Sequence, residues 1–403
     1  MIPFSPPRID QEIIDEVAAA LRSGWITTGP RTKQFEKMIT AYCGHKATLC
    51  VNSGSSGLEL MLRWFGVGEG DEVIVPAYTY SATANVVVHC GAKPVFVDTG
   101  VDFNIDPQKI REAITPSTKV IIPVDLAGLP CDYEEINAMV ESEDLKAIFS
   151  PGSPEQEKLG RILILADAAH SIGAVYKGKK TGTLTDISVF SFHAVKNLTT
   201  AEGGAICLKL PEAFDHEEIY NYLCIKSLHG QTKDALAKNM AGNWQYDVIE
   251  AGYKYNMTDV QAAMGIVELR RYDADMLVRR KEIFDRYRKG LETKEWAILP
   301  PYETENKTSS YHVFLIRIKD INEQQRDAII SRIFEKGVSV NVHFIPLPML
   351  TYYKNSGYDI NQYPISYDNF SRVISLPVYY TLTNDQADTV INTLIDAVEK
   401  ELS

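Results

Sequence analysis

Between residues 47 and 208, short apolar runs alternate with segments of helical period. The runs are "ATLCVNSG", "DEVIVP", "KPVFVD", "TKVIIPVDLAG", "RILILADAAH", "ISVFSFH" and "GGAICLKL". Between them lie "SSGLELMLRWFGV", "SATANVVVHCG", "DPQKIREAIT", with Asp106 ahead of its first turn, and "CDYEEINAMVES". A strand that is apolar at consecutive positions has both faces covered. Strands of this kind separated by helices predict a mostly parallel sheet flanked by helices, an α/β domain with ligands at the carboxyl ends of its strands. Ahead of it, "DQEIIDEVAAALRSG" predicts a helix with Asp10 as N-cap and Gly24 as stop. "WITTGPRTKQFEKMITAYCG" predicts a loop and a second helix.

Near residue 258 the order changes. "TDVQAAMGIVELRRYDADMLVRRKEIFDRYRKGLE" has the pattern of one long helix or two joined ones. "YHVFLIRIKD" (strand), "RDAIISRIFEKG" (helix), "VSVNVHF" (strand) and a final helix "TNDQADTVINTLIDAVEKEL" follow. This predicts a smaller α+β domain. The expected division is residues 1–265 for the large domain and 266–403 for the small one. The segment "FSPGSPEQEKLG" at 149–160 has the look of a loop insertion ahead of the "ADAAH" strand.

Composition narrows the classes. The chain has 403 residues, 45% hydrophobic and 23% charged, ordinary for a globular protein able to bury a large core. A net charge of −12 argues against nucleic acid as a partner, which needs a positive field, but not against a small anionic substrate held by local donors. Cys43, Cys50, Cys90, Cys131, Cys207 and Cys224 are scattered, without zinc spacing, so reduced thiols and no metal are expected. No signal sequence and no long apolar span is visible, which predicts a cytoplasmic protein that does not enter a membrane.

Four local features carry chemistry. Lys196, in "SFHAVKNLTTAEGG", follows an apolar strand; burial at a strand tip would lower its pKa and make the amine nucleophilic, although alone it also fits a surface-loop lysine. Asp167, in "ILILADAAHS", follows four apolar residues and needs a cationic partner, such as a protonated pyridine nitrogen, unless it merely caps a helix. His170 is three residues on, within reach of the same ring. Ser53 to Gly57 form a small-residue turn from strand to helix, where exposed N–H groups favour an anion; it is neither a dinucleotide fingerprint nor a P-loop. Tyr80, in "PAYTYSAT", could stack on a planar cofactor or simply pack in the core. Together they supply a phosphate seat, an aromatic platform, a carboxylate for a ring nitrogen and a Schiff-base amine, the parts needed to hold pyridoxal 5′-phosphate (PLP).

Further segments make the pattern specific: "SGWITTGP", "GDEVIVPAYTYSAT", "ITPSTKVIIPVDLAG", "ADAAHSIGA", "FSFHAVKNLTTAEGG" and "GYKYNMTDVQAA". Through them the chain resembles the DegT/StrS-type nucleotide-sugar aminotransferases, a branch of the fold-type I PLP enzymes, and is similar to those that aminate C4 of UDP-4-keto-sugars. The resemblance implies that Lys196 carries the cofactor as a Schiff base, that Asp167 pairs with its ring nitrogen, and that His170 lies near its 3-hydroxyl. It implies Tyr80 as the platform and Ser55, Ser56 and Ser191 as phosphate contacts. "GYKYN" is the segment that the family donates across a dimer interface, with Lys254 or Asn256 as the phosphate contact; many members have Asn where this chain has Lys254. His343, in "NVHFIPLP", falls near the sugar, or serves strand packing.

The implied reaction moves an amino group from L-glutamate, released as 2-oxoglutarate, to a nucleotide-linked keto-sugar in surface-glycan biosynthesis. The cofactor cycles between PLP and the pyridoxamine form, PMP, in a homodimer with shared sites. Two alternatives share the fold. A PMP-dependent sugar dehydratase carries His in place of the lysine, and Lys196 argues against it. A non-catalytic PLP-binding regulator is opposed by the intact Lys196, Asp167 and His170.

Overall fold

A computed structural model describes residues 1–233 and 245–403. In chain order the strands are β1 (Ala47–Val51), β2 (Glu72–Pro76), β3 (Lys93–Val97), β4 (Thr118–Ile121) and β5 (Leu163–Asp167). They continue with β6 (Val175–Tyr176), β7 (Lys179–Lys180), β8 (Ile187–Ser191), β9 (Gly204–Leu208), β10 (Ala297–Ile298), β11 (Lys307–Thr308), β12 (Phe314–Ile318) and β13 (Val373–Leu376).

The main sheet has seven strands in the order β1-β9-β8-β5-β4-β2-β3. Its β3-β2-β4-β5-β8 portion is parallel; β9 runs antiparallel to both β8 and β1. Nearly every position of β4, β5 and β9 is buried, as continuous apolar runs require. The helix Gly54–Trp64 packs Leu58, Leu62 and Trp64 into the core on one face of the sheet. On the other, Phe35 and Ile39 of the helix Pro30–Cys43 pack with Phe190 and Cys207. The smaller sheet, β10-β12-β13, is antiparallel and is covered by the helices Glu323–Glu335 and Asn384–Leu402. All six cysteines are free thiols.

Local signals act where expected. The Asp10 carboxylate accepts from Ile13 N–H at the start of Gln11–Arg22, and Gly24 takes φ +73° just past its end. Asp106 caps Pro107–Ala113. The long helical pattern from 258 is two helices, Asp259–Arg270 and Leu277–Leu291, joined by a π-helical turn at Tyr272–Met276. The expected domain division at 265/266 falls inside the first of them.

Two expectations fail. "VSVNVHF" forms no strand: Val338 bridges to Ile2, Asn341 bridges to Ser375, and the chain then leaves the ladder. The departure carries His343 to the cavity, where its main-chain N–H is 3.2 Å from Ser375 Oγ. The segment 149–160 is not a bare loop. Ser153 caps a helix, Pro154–Leu159, and Gly160 ends it at φ +69°. The buried Gln156 amide and the Ser153 hydroxyl both donate to Phe65 O, at 2.9 and 3.0 Å, closing the end of the helix Gly54–Trp64.

Candidate active site

The carboxyl ends of β1, β2, β5 and β8 converge on one cavity of about 480 Å³, where a sheet covered on both faces leaves its strand ends open. Its lining includes Ser55, Tyr80, Asp167, His170, Ser191, Lys196 and His343. Ser56 is close by but turned inward: its Oγ lies 2.7 Å from Asn52 Oδ1 and 2.8 Å from Ser53 Oγ, and its N–H is taken by Ser53 Oγ. It secures the N-cap rather than facing the cavity. Lys254 and Asn256 do not line this cavity. Lys254 is exposed, and the Asn256 amide donates to Thr28 Oγ1 at 2.7 Å.

Asp167 ends β5 at 7% exposure. Thr83 Oγ1 donates to its Oδ2 at 2.8 Å and Ala169 N–H to its Oδ1 at 3.2 Å. Burial pushes its carboxyl above the usual range, partly offset by those donors and by the charge of Lys196. Each oxygen has one protein donor, so lone pairs remain for a cationic ligand. Lys196 stands in the turn after β8, its N–H bonded to His193 O at 2.9 Å. Burial lowers its amine to about 8, against the opposing pull of Asp167. Burial likewise holds His170 well below the ordinary histidine range, with Lys196 and His343 adding to the effect.

His170 Nδ1 is 3.3 Å from Ala127 N and accepts its proton, so the neutral ring carries hydrogen on Nε2. His343 is lowered to about 4, mainly by burial, and its Nδ1 is 3.0 Å from Ser375 Oγ. Tyr80 is 61% exposed, its ring tilted 49° to that of Phe344 at 5.7 Å.

The glycines show why the turn after β1 is built of small residues. A Cβ on Gly204, in β9, would come within 2.6 Å of Ser53 C and 2.7 Å of Gly54 N. One on Gly54 would meet Ser191 Cβ at 3.2 Å. The helix N-terminus therefore sits hard against β8 and β9, with Ser55 and Ser191 on the same wall. An anion seat, an under-neutralised buried carboxylate and a lysine of lowered pKa fit PLP at its phosphate, ring nitrogen and aldehyde. Sequence reasoning missed Thr83, His193, Glu202, His312 and Phe344. The last four line the cavity: His193 and Glu202 from the Lys196 segment itself, Phe344 from beside His343, and His312 from ahead of β12; Thr83, one helical turn beyond Tyr80, orients Asp167.

Fold and site together define a fold-type I PLP-dependent enzyme. The chain belongs to the DegT/DnrJ/EryC1/StrS aminotransferase family, whose model matches residues 7–150 and 157–395. The gap in that match falls in the 149–160 segment. Among curated proteins the chain is 39% identical over 406 residues to the uncharacterised protein MJ1066 of Methanocaldococcus jannaschii, covering 100% of this chain and 98% of the relative. It is 36% identical to the spore coat polysaccharide biosynthesis protein SpsC of Bacillus subtilis, covering 99% and 97%. Among solved structures, Spr1654 of Streptococcus pneumoniae, named as a sugar aminotransferase, matches in its PMP form with a TM-score of 0.96 and 46% identity over 100% of both chains. Its PLP form matches with a TM-score of 0.94 and 44% identity, again over 100% of both chains.

Proposed function

We propose that the enzyme transfers the amino group of L-glutamate to the keto carbon, C4, of a nucleotide-linked sugar in surface-glycan biosynthesis. The observation that carries this reading is the placement of Lys196, Asp167 and His170 around one cavity, in a chain alike over its full length to a sugar aminotransferase and to a polysaccharide-biosynthesis protein. PLP supplies an electron sink for the charge that develops when the Cα proton leaves.

The residues do the rest. Asp167, pinned by Thr83 and Ala169 N–H, holds a proton on the ring nitrogen. Lys196 binds the resting cofactor and, once displaced, carries a proton at Nζ; an amine near pH 8 gives and takes it readily. His170 offers its Nε2–H without adding a cation. Among the described lining residues there is no arginine, and burial keeps His170, His312 and His343 neutral. Neutral donors and acceptors suit a hydroxylated sugar ring.

We further propose a homodimer in which Lys254 or Asn256 reaches the partner's cofactor phosphate. In their own protomer neither lines the cavity; they sit on a segment held by the Val51–Asn256 bridge and by Asn52 Nδ2 donating to Lys254 O at 3.1 Å.

The deciding experiment incubates purified enzyme with PLP, L-glutamate and a panel of UDP- and dTDP-linked 3- and 4-keto-sugars, and follows products by mass spectrometry and NMR. Amination of a UDP-4-keto-sugar at C4 is expected. Conversion of glutamate with no keto nucleotide-sugar accepted would reject the substrate class.

A further inference from the structure

His312, on the cavity wall, ties the segment ahead of β12 to the turn that carries Lys196. His312 lies just ahead of β12, with its ring buried 4.3 Å from that of His170 and tilted to it by 33°. Its Nδ1 is 2.7 Å from Asn197 Oδ1. The Asn197 amide nitrogen donates to Ser310 O at 2.7 Å, which fixes the amide's orientation and leaves Oδ1 to accept. His312 therefore carries its proton on Nδ1, opposite to His170, which carries it on Nε2 because Ala127 N–H occupies its Nδ1.

The backbone is fixed as firmly as the ring. His312 N–H donates to Ala127 O at 3.2 Å, and His312 O accepts from Arg280 Nη1 at 3.1 Å. Ala127 and Tyr311 hold φ values of +54° and +56°, which residues with a Cβ rarely adopt and keep only where neighbours over-determine them. Ala127 thus bonds the His170 ring with its N–H and the His312 main chain with its C=O. A side chain that merely filled space beneath His170 would need no polar partner, and this one bonds to the residue next to Lys196.

We propose that His312 is a positioning residue for the cofactor site: it sets the plane of His170 by stacking on it, and through Asn197 it locks the Lys196 turn to the segment ahead of β12. The proposal rests on the PLP reading of the cavity. The charged and titratable groups facing the stacked pair are Lys196, Arg280 and His343, with Asp167 across the cavity and the His193–Glu202 pair, 3.6 Å apart, also on the lining. Burial comes first for both imidazoles; Lys196 and His343 add to it for His170, and His170, Lys196, Arg280 and His343 for His312, and both are held well below the ordinary range. Protonating either ring would place it against Lys196 and its stacked neighbour.

Two variants separate the two functions of the ring. His312→Phe keeps a ring against His170 but removes the N–H to Asn197. His312→Asn retains an N–H near the Nδ1 position but removes the ring. The readouts are PLP affinity and the pH dependence of the bound cofactor's visible absorbance, with Tm as a control. Wild-type protein is expected to show no absorbance transition in the ordinary imidazole range, about pH 6.5. His312→Phe is expected to bind PLP roughly tenfold more weakly, the loss of one hydrogen bond that holds the lysine turn. His312→Asn is expected to bring a transition up toward about pH 6.5, because removing the stacked ring lets water reach the buried His170 imidazole and relieves its desolvation. A lowered Tm with affinity and pH titration unchanged in both variants would overturn the proposal. Wild-type protein that takes up no PLP would instead defeat the cofactor reading, leaving the two failures distinct.

Discussion

Lys196, half-buried, and Asp167, buried, are two charges shifted in opposite directions by the same cause, their removal from water. Burial lowers the lysine to about 8 and raises the carboxyl. The lysine result sets a pH dependence. Only the neutral amine attacks an aldehyde, so the rate at which apo-enzyme captures PLP is expected to rise as pH passes through about 8 and to level off above it; a stopped-flow absorbance series measures this. A rate still rising steeply at pH 10, as for an ordinary lysine, would contradict it.

The carboxyl result sets a stability. A carboxyl whose folded pKa lies above its unfolded value stabilises the fold at acidic pH, and that contribution is lost as pH rises through the folded value. At neutral pH Asp167 is therefore a charge the apo-fold tolerates. Asp167→Asn is expected to raise the Tm of apo-protein near pH 7 while cutting kcat by roughly a hundredfold or more, since the ring nitrogen loses its anion. Calorimetry without cofactor and a glutamate half-reaction test the two halves. Both residues were legible as chemistry because a polar residue that directly follows an apolar run has few bland explanations. Thr83 and His312 were not: a threonine in an apolar helix and a histidine before a strand look like packing until their partners, 84 and 115 residues away, are in place.

At the scale of elements, strands and caps were the most legible features. A run such as "EVIVP" is buried on both faces whatever it packs against, and an Asp ahead of a helix finds its N–H within three residues. Close approach between elements was not legible. Gly204 reads as one half of a glycine pair, yet its missing Cβ is what lets β9 pass beneath the Ser53 turn. Gly204→Ala is expected to push that turn outward and weaken PLP binding by tenfold or more, at an overpacking cost of about 1–3 kcal/mol; fluorescence titration of apo-protein and thermal melts check both. The helix Pro154–Leu159 makes the opposite prediction. None of residues 149–160 lines the cavity, and Gln156 is buried to cap Phe65 O. Gln156→Ala is expected to destabilise the protein by about 1–3 kcal/mol with kcat and KM within twofold of wild type. A specific loss of sugar turnover would show that the segment reaches the substrate.

At the scale of the molecule, the cavity lies where β1, β2, β5 and β8 end and where His312 and His343 arrive from segments beside the β10-β12-β13 sheet. Neither Lys254 nor Asn256 lines its own protomer's cavity, which gives a test of the proposed dimer. Lys196→Ala and Asn256→Ala proteins, each expected to be nearly inactive, should regain activity when refolded together, because one site of the mixed dimer then receives an intact Lys196 and a partner's intact Asn256. No recovery, with sedimentation showing mixed dimers, would place Asn256 in its own protomer's chemistry. By itself the sequence determined the α/β layering, the family and the lysine, carboxylate and phosphate turn. These depend on local periodicity and on residues close to one another in the chain. Only the tertiary structure decided which imidazoles are neutral, which tautomers they hold and which of the expected residues face the cavity. Those properties follow from burial and hydrogen bonds between segments more than 40 residues apart, which no local pattern encodes.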